Sequence, residues 1–386
     1  MRHNSKLLLC WLAGTAVVAC DPGAQGEPQQ EMARIAPLQT LTGLIVADWA
    51  PVVLQDTDDG AWTLGRPENA DGAADFITRF DYDGNWDAWD NWDNLVTSQL
   101  KAYAYTTIAE TDDFWFLTYH FFHPRDWCHH QNKPAPWGPC LVEVEWYHEN
   151  DMEGALFVVR KDPVDLRGKL RGIITRYHTG FQAYVDPVAA AQGQIGIQPG
   201  VSLAGPIQYW NHKGLMRPMV QIQARGHGVS AGAQWQVVPN DSSGSFPGGD
   251  GVIYWLQGRD GSPRPAEVPS GLFDADVSYD LIWVNALGGL WSRRLDLGVG
   301  TPFQSQARMY PSRRTYAKTF GANVGWPATQ QAHPPWAYDS ADDGAPIGWF
   351  LENPAEFALA YFVIPDLSTW DYCYLYNPYF PTSCIL

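Results

Sequence analysis

Phe114-Trp-Phe-Leu-Thr-Tyr-His-Phe-Phe122 is followed by His123-Pro-Arg-Asp126-Trp127, and a loop closed by Cys128 and Cys140 leads to Leu141-Val-Glu-Val-Glu-Trp-Tyr147 and His148-Glu-Asn-Asp151-Met-Glu153-Gly154. The aromatic and β-branched content of the two apolar runs predicts strands, with a turn at His123–Trp127 between the first run and the loop. A third apolar run, Ala155-Leu-Phe-Val-Val159, continues past the acidic residues. Four side chains able to ligate a cation therefore stand at strand ends: Asp126, His148, Asp151 and Glu153. Asp151 and Glu153 are two apart and share one side of an extended chain, whereas His148 needs a bend to join them, which Glu-Asn-Asp can supply. Two like charges on one apolar face repel unless a proton or cation lies between them. Three carboxylates and one imidazole suit a hard divalent ion, Ca²⁺ or Mg²⁺ first and Mn²⁺ next, with zinc less favoured. The competing reading is an acidic hairpin tip with a solvated His148.

These same residues resemble a known family. Tyr119-His-Phe-Phe-His-Pro-Arg-Asp126 followed by His148-x-x-Asp151-x-Glu153 is similar to the two core motifs of the necrosis- and ethylene-inducing-like proteins. There an aromatic strand ends in Pro-Lys-Asp and is followed by Gly-His-Arg-His-Asp-Trp-Glu. The resemblance implies a metal cradle of Asp126, His148, Asp151 and Glu153, a β-sandwich, and action at a membrane through a glycosylated head group. It departs at Tyr147, Asn150 and Met152, and an insertion with both cysteines separates the motifs. It covers about residues 114–182, where Arg176-Tyr-His178-Thr-Gly180 resembles a later His-Gly segment. Bacterial vacuolar-sorting-like sandwich proteins share a similar layout.

Outward from this region, the N-terminus reads as an address. Arg2 and Lys6 precede an apolar core from Leu7 to Val18, and Val17-Val-Ala-Cys20 predicts signal cleavage before Cys20 and lipidation there. An ordinary secretory signal is the alternative. The domain organisation expected is a signal peptide over 1–19, a lipidated Cys and Gly/Gln/Glu/Pro-rich tether over 20–35, and a β-sandwich domain over 36–386. The expected location is the bacterial cell envelope, anchored to the membrane through Cys20. After cleavage, 23 Lys and Arg face 42 Asp and Glu. This surface repels phosphate backbones and argues against nucleic acid as a partner. The spacings of Cys128, Cys140, Cys373 and Cys384 suggest two local disulfides, each worth roughly 3 kcal/mol.

With 36 Gly, 29 Pro and 19 Trp, the composition favours short strands and ordered loops. Apolar runs recur at 42–47, 115–122, 155–160, 170–177, 219–223, 251–256 and 281–284, predicting a mostly β fold. Its expected form is one jelly-roll-like β-sandwich with long ordered loops and a few short helices, near 87–103, 279–291 and 354–357. Trp86, Trp89 and Trp92 in an Asp-rich stretch can stack on sugars or pack onto the sandwich, and the second is favoured. His178 and His227 are candidate bases or supports for the metal site, or plain loop histidines. The function expected is an exported, metal-binding lipoprotein that engages a glycan or lipid head group at a surface. A metal-dependent hydrolase of an ester or phosphoryl bond and a structural envelope lipoprotein are the alternatives.

Overall fold

The aromatic segment forms a strand longer than the sequence predicts, running Phe114–Asp126 with every residue buried. The expected turn at His123 is absent, because Pro124 and Arg125 stay extended and pair across to the next strand through Asp126↔His148. The computed structural model describes residues 41–57, 71–91, 93–95, 100–126, 148–178, 180–232, 251–260, 262–308, 315–322, 332–338, 348–367 and 373–379. The expected signal peptide, Cys20 and tether lie outside these residues, as do Cys128, Cys140, Cys384, Trp92 and the run 141–147. Cys373 is disulfide-bonded, and its partner too lies outside the described residues.

In chain order the strands are β1 (Val52–Asp56), β2 (Tyr103–Thr111), β3 (Phe114–Asp126), β4 (His148–Arg160), β5 (Lys169–Tyr177), β6 (Gly180–Val185) and β7 (Gly196–Ile197). Then come β8 (Leu203–Pro206), β9 (Tyr209–His212), β10 (Leu215–Ile222), β11 (Val229–Ser230), β12 (Gly251–Leu256) and β13 (Val277–Trp283). The last are β14 (Phe303–Arg308), β15 (Thr315–Phe320), β16 (Phe362–Val363) and β17 (Tyr374–Tyr376). The helices are α1 (Leu41–Trp49), α2 (Pro187–Ala191), α3 (Trp349–Glu352) and α4 (Pro354–Tyr361).

One mixed sheet runs β11-β10-β1-β12-β13-β2-β3-β4-β5-β6-β8. Its centre, β2 to β6, is antiparallel, while β1–β10, β12–β13, β13–β2 and β6–β8 pair in parallel. The sheet curls on itself, so that β11, at one end of the order, touches β4 and β5 near the other. Side-chain alternation assigns the two cores. Trp115, Leu117, Tyr119 and Phe121 point into the curl with Phe157, Tyr254 and Tyr279. Phe114 and Phe116 point outward beneath Phe350 and Phe357 of α3 and α4. The mostly β, sandwich-like architecture and the helix at 354–357 are as expected.

Three local expectations are corrected. The run 42–47 is helical, within α1. A short apolar run does not distinguish helix from strand, and here tertiary contacts decide. Arg217 Nη1 donates to the carbonyls of Ala47 at 2.7 Å and Ala50 at 2.9 Å, and Tyr119 Oη donates to Val46 O at 2.7 Å. A buried cation at the helix C-terminus satisfies carbonyls that would otherwise be orphaned. The described part of 87–103 is turns followed by the start of β2, and 279–291 is strand and turns up to Trp291, where one turn of 3-10 helix begins. In the first, Asp and Asn side chains take up backbone N–H groups, as in Asp87 N to Asn85 Oδ1 at 2.5 Å and Trp89 N to Asp87 Oδ1 at 3.0 Å, in place of helical bonds.

Candidate functional site

The long β3/β4 ladder sets the motif residues opposite one another: Asp126↔His148, His123↔Asp151 and Phe121↔Glu153. The bend expected before Asp151 is a residue in left-handed conformation, Asn150, with φ 61°. Its amide is held on all sides: Nδ2 donates to Ala88 O at 2.8 Å and Gly321 O at 2.6 Å, and Oδ1 accepts from Asn91 Nδ2 at 2.5 Å. Asn tolerates this conformation because its short polar side chain can bond locally. These bonds tie the Asp/Trp-rich turn to β4, and Trp86 and Trp89 pack against the inner core there, in line with the packing reading.

The tightest cluster is on the inward side. His227, on the loop between β10 and β11, contacts Asp151 Oδ2 through Nδ1 at 2.9 Å and Asp75 Oδ1 through Nε2 at 3.1 Å. Asp75 Oδ1 also accepts from Arg225 N at 2.7 Å. The His123 ring lies parallel to that of His227, with centroids 3.7 Å apart and 2° between planes. His123 Nε2 meets Gln55 Oε1 at 3.0 Å, and its Nδ1 is buried with no hydrogen bond. One ligand atom from each of His123, Asp151 and His227 lies within 4.8 Å of the others, all three residues buried.

Glu153 sits beside this cluster, accepting from His178 N at 2.7 Å and Val229 N at 3.2 Å. His178 closes the outer edge: its Nε2 contacts Gln223 Oε1 at 2.9 Å, and its ring lies over Gly226, where a Cβ would come within 2.8 Å of it. Asp126 and His148 form a separate buried pair, Oδ2 to Nε2 3.7 Å, with His148 Nδ1 donating to Asn150 O at 2.9 Å. Of the four expected ligands, Asp126 thus faces His148 across the ladder, and Asp151 and Glu153 follow His148 on β4 beyond the left-handed Asn150.

Burial and charge act against each other here. Burial lowers the proton affinity of His227, but hydrogen bonds to Asp151 and Asp75 outweigh it and raise its pKa to about 9. Burial by itself raises Asp151, and the hydrogen bond from His227 brings it below the usual value. Burial, then the neighbouring Asp151 charge, pushes Glu153 up to about 8. Burial, reinforced by His227, holds His123 well below 6.5 and so neutral.

The residues present fit a cation. Carboxylates of Asp75, Asp151 and Glu153 share one buried region, and His123 Nδ1 is a buried nitrogen with no donor facing it. Four non-glycine residues around the cluster, Asn150, His178, Arg225 and His227, have positive φ. Such strain persists only where the surroundings enforce it, and it concentrates at functional sites. His123, Asp75 and Gln55 were not among the sequence candidates. The signal for His123 was its phase, continuing the inward stripe Leu117, Tyr119, Phe121; Asp75 stood out only as an acid within Ala73-Ala-Asp-Phe-Ile77.

No family model matches the chain, and no curated protein matches it. The solved structures to which it is similar are necrosis- and ethylene-inducing proteins. Non-toxic HaNLP3 is 15% identical over 50% of this chain and 70% of its own, with a TM-score of 0.25. Necrosis and Ethylene inducing Protein 2 from the causal agent of cocoa's witches' broom disease is 16% identical over 34% and 45%, at 0.20. NLPPya in complex with mannosamine is 10% identical over 51% and 69%, at 0.26. At this depth of likeness the site's chemistry has to be read from its own side chains.

Proposed function

We propose that this chain is an exported lipoprotein, anchored through Cys20 in a bacterial cell envelope, whose sandwich carries a divalent-cation centre that engages a glycan or lipid head group at a surface. The observation that supports this reading is the buried cluster of three carboxylates and two imidazoles around Asp151, gathered from four separated parts of the chain. Burying that many ionisable groups is costly unless they are paired or hold a metal. Asp126 and His148, paired three positions before Asp151 on the ladder, would form the outer rim of that centre.

The test is retention on immobilised glycans and glycolipids, beginning with amino sugars because mannosamine is bound by one of the similar proteins. Retention that needs a divalent cation, is lost with chelator and falls at least about tenfold in Asp151→Ala supports the reading. Retention indifferent to chelator, or none with any cation, rejects it and leaves the structural-lipoprotein alternative in the lead.

A further inference from the structure

At the far end of β4 from the Asp151 cluster, the connection to β5 walls a cleft of about 510 Å³, which Trp49 at the end of α1 and residues of α2 also line. Asp151 and Arg160 lie about 30 Å apart along the extended strand. Gly168 turns the chain at φ 76°, where a Cβ would meet Arg160 O at 2.6 Å, and the turn brings Arg167 alongside the start of β5. Lys169 and Arg171, two apart on β5, then share a face, while Leu170 between them is buried. The Arg167 guanidinium is fixed in place: its Cζ lies 3.7 Å from the centre of the Trp49 ring, and Nη2 donates to Asp48 O at 2.9 Å and Met216 O at 2.8 Å.

The carboxylates of the cleft are already satisfied, and several of its donors are not. Asp162 accepts from Val164 N at 2.8 Å and Asp165 N at 3.0 Å, Asp165 from Arg167 N at 3.1 Å and Lys169 Nζ at 2.7 Å, and Asp186 from Ala189 N at 2.8 Å and Tyr209 Oη at 2.7 Å. Arg171, by contrast, is half-buried and makes no side-chain hydrogen bond or ion pair among the described residues. Asp186, Asp366 and Asp162 act on its charge only from beyond ion-pair distance. Arg167 Nε is buried with no acceptor, and the side-chain amides of Gln192 and Gln194 make no hydrogen bond among the described residues. A planar guanidinium with open N–H groups in a concave site is matched by an anion that presents two oxygens. We propose that this cleft binds a small polyol carrying an oxyanion, with Arg171 holding the charged group and Gln192 and Gln194 the hydroxyls. Its volume is that of a small-ligand site, about 300–1,000 Å³. Val188 at the cleft is 62% exposed, and Val164 and Leu166 on the same connection are 91% and 73% exposed. The same chemistry therefore has two sources, a soluble molecule or the head group of an anionic lipid whose chains leave over these apolar residues. The site stands apart from the cation centre and does not depend on it.

The experiment is phenylglyoxal modification of the purified full chain, read at Arg171 by peptide mass spectrometry with and without glycerol 3-phosphate. Protection of Arg171 by about fivefold or more is expected, with glycerol giving none and Arg293, which lies over Trp86, unaffected. Calorimetric affinity for glycerol 3-phosphate is expected to fall at least about tenfold in Arg171→Gln and to be unchanged by chelator. The wild-type footprint needs no variant, so misfolding of Arg171→Gln does not blunt the test. Phosphatidylglycerol vesicles separate the two sources: added protection by them assigns the lipid head group, and protection by glycerol 3-phosphate alone assigns a soluble ligand. No protection by glycerol 3-phosphate, equal protection of Arg293, affinity kept in folded Arg171→Gln, or binding that chelator removes overturns the inference.

Discussion

Asn150 does in one residue what the motif needs at that point of β4: it reverses the local backbone at φ 61° and satisfies two carbonyls and one amide with its side chain. Asn150→Ala strands Ala88 O, Gly321 O and Asn91 Nδ2 in a buried region and puts a β-carbon residue into the left-handed well. We expect a loss of about 3–5 kcal/mol in urea unfolding, with Asn150→Gly recovering about 1 kcal/mol of it, because it relieves the backbone but does not restore the bonds. The titrating residues predict a pH effect. His227 holds its proton more firmly folded than unfolded, so its stabilisation is complete below its ordinary 6.5 and is lost as pH rises toward about 9. Glu153 acts in the same sense, since the unfolded carboxyl ionises near 4.5 and the folded one only near 8. Metal-free protein should therefore lose on the order of 2 kcal/mol or more between pH 6 and 9. His227→Gln should flatten that slope whatever it does to absolute stability, and thermal melts across this range would check both.

At the scale of elements, β3 and β4 were legible because their information is local: alternating aromatic residues, and ligand-type side chains within a few positions of each strand end. The ladder adds one requirement that the sequence shows only as a glycine. A Cβ on Gly154 would lie 2.6 Å from both His120 Nδ1 and Tyr119 O. The second of these is backbone within a paired strand and cannot give way. Gly154→Ala is expected to cost about 1–3 kcal/mol or more, whereas Gly180→Ala, with nothing within 4 Å, should be neutral within about 0.5 kcal/mol. What was misread depended on distant partners. The run 42–47 became a helix because Arg217, some 170 residues later, caps it. His123 is hidden in the sequence because the Pro after it reads as a turn signal, yet Pro124 is accommodated within β3. Asp75 and Gln55 acquire meaning only beside His227 and His123, and no local pattern announces a hydrogen bond spanning 152 residues.

For the whole molecule, the candidate centre coincides with the seam of the curled sheet. Strand β11 lies at one end of the strand order and β4 seven places away, yet they meet. The bonds across that meeting include His227 to Asp151 and Val229 N to Glu153. The curl is closed there by charged side chains, where a continuous ladder would otherwise do so. A cation held at Asp151 and His227 would pin the β11 end of the sheet to β4, and the excess of acidic residues over the chain raises cation concentration around it. Ligand that binds only the folded state adds RT ln(1 + [L]/Kd), about 2.7 kcal/mol at a hundredfold excess over Kd. That gain should be unevenly distributed. Hydrogen exchange should slow with cation at Arg225 N and Val229 N, on the seam, while the outer pairing of β5 with β6 changes little. Uniform slowing over the whole sheet would mean that the ion stabilises by general charge neutralisation. Slowing confined to both sides of the seam would mean that the cluster around Asp151 is the clasp that keeps the sandwich closed.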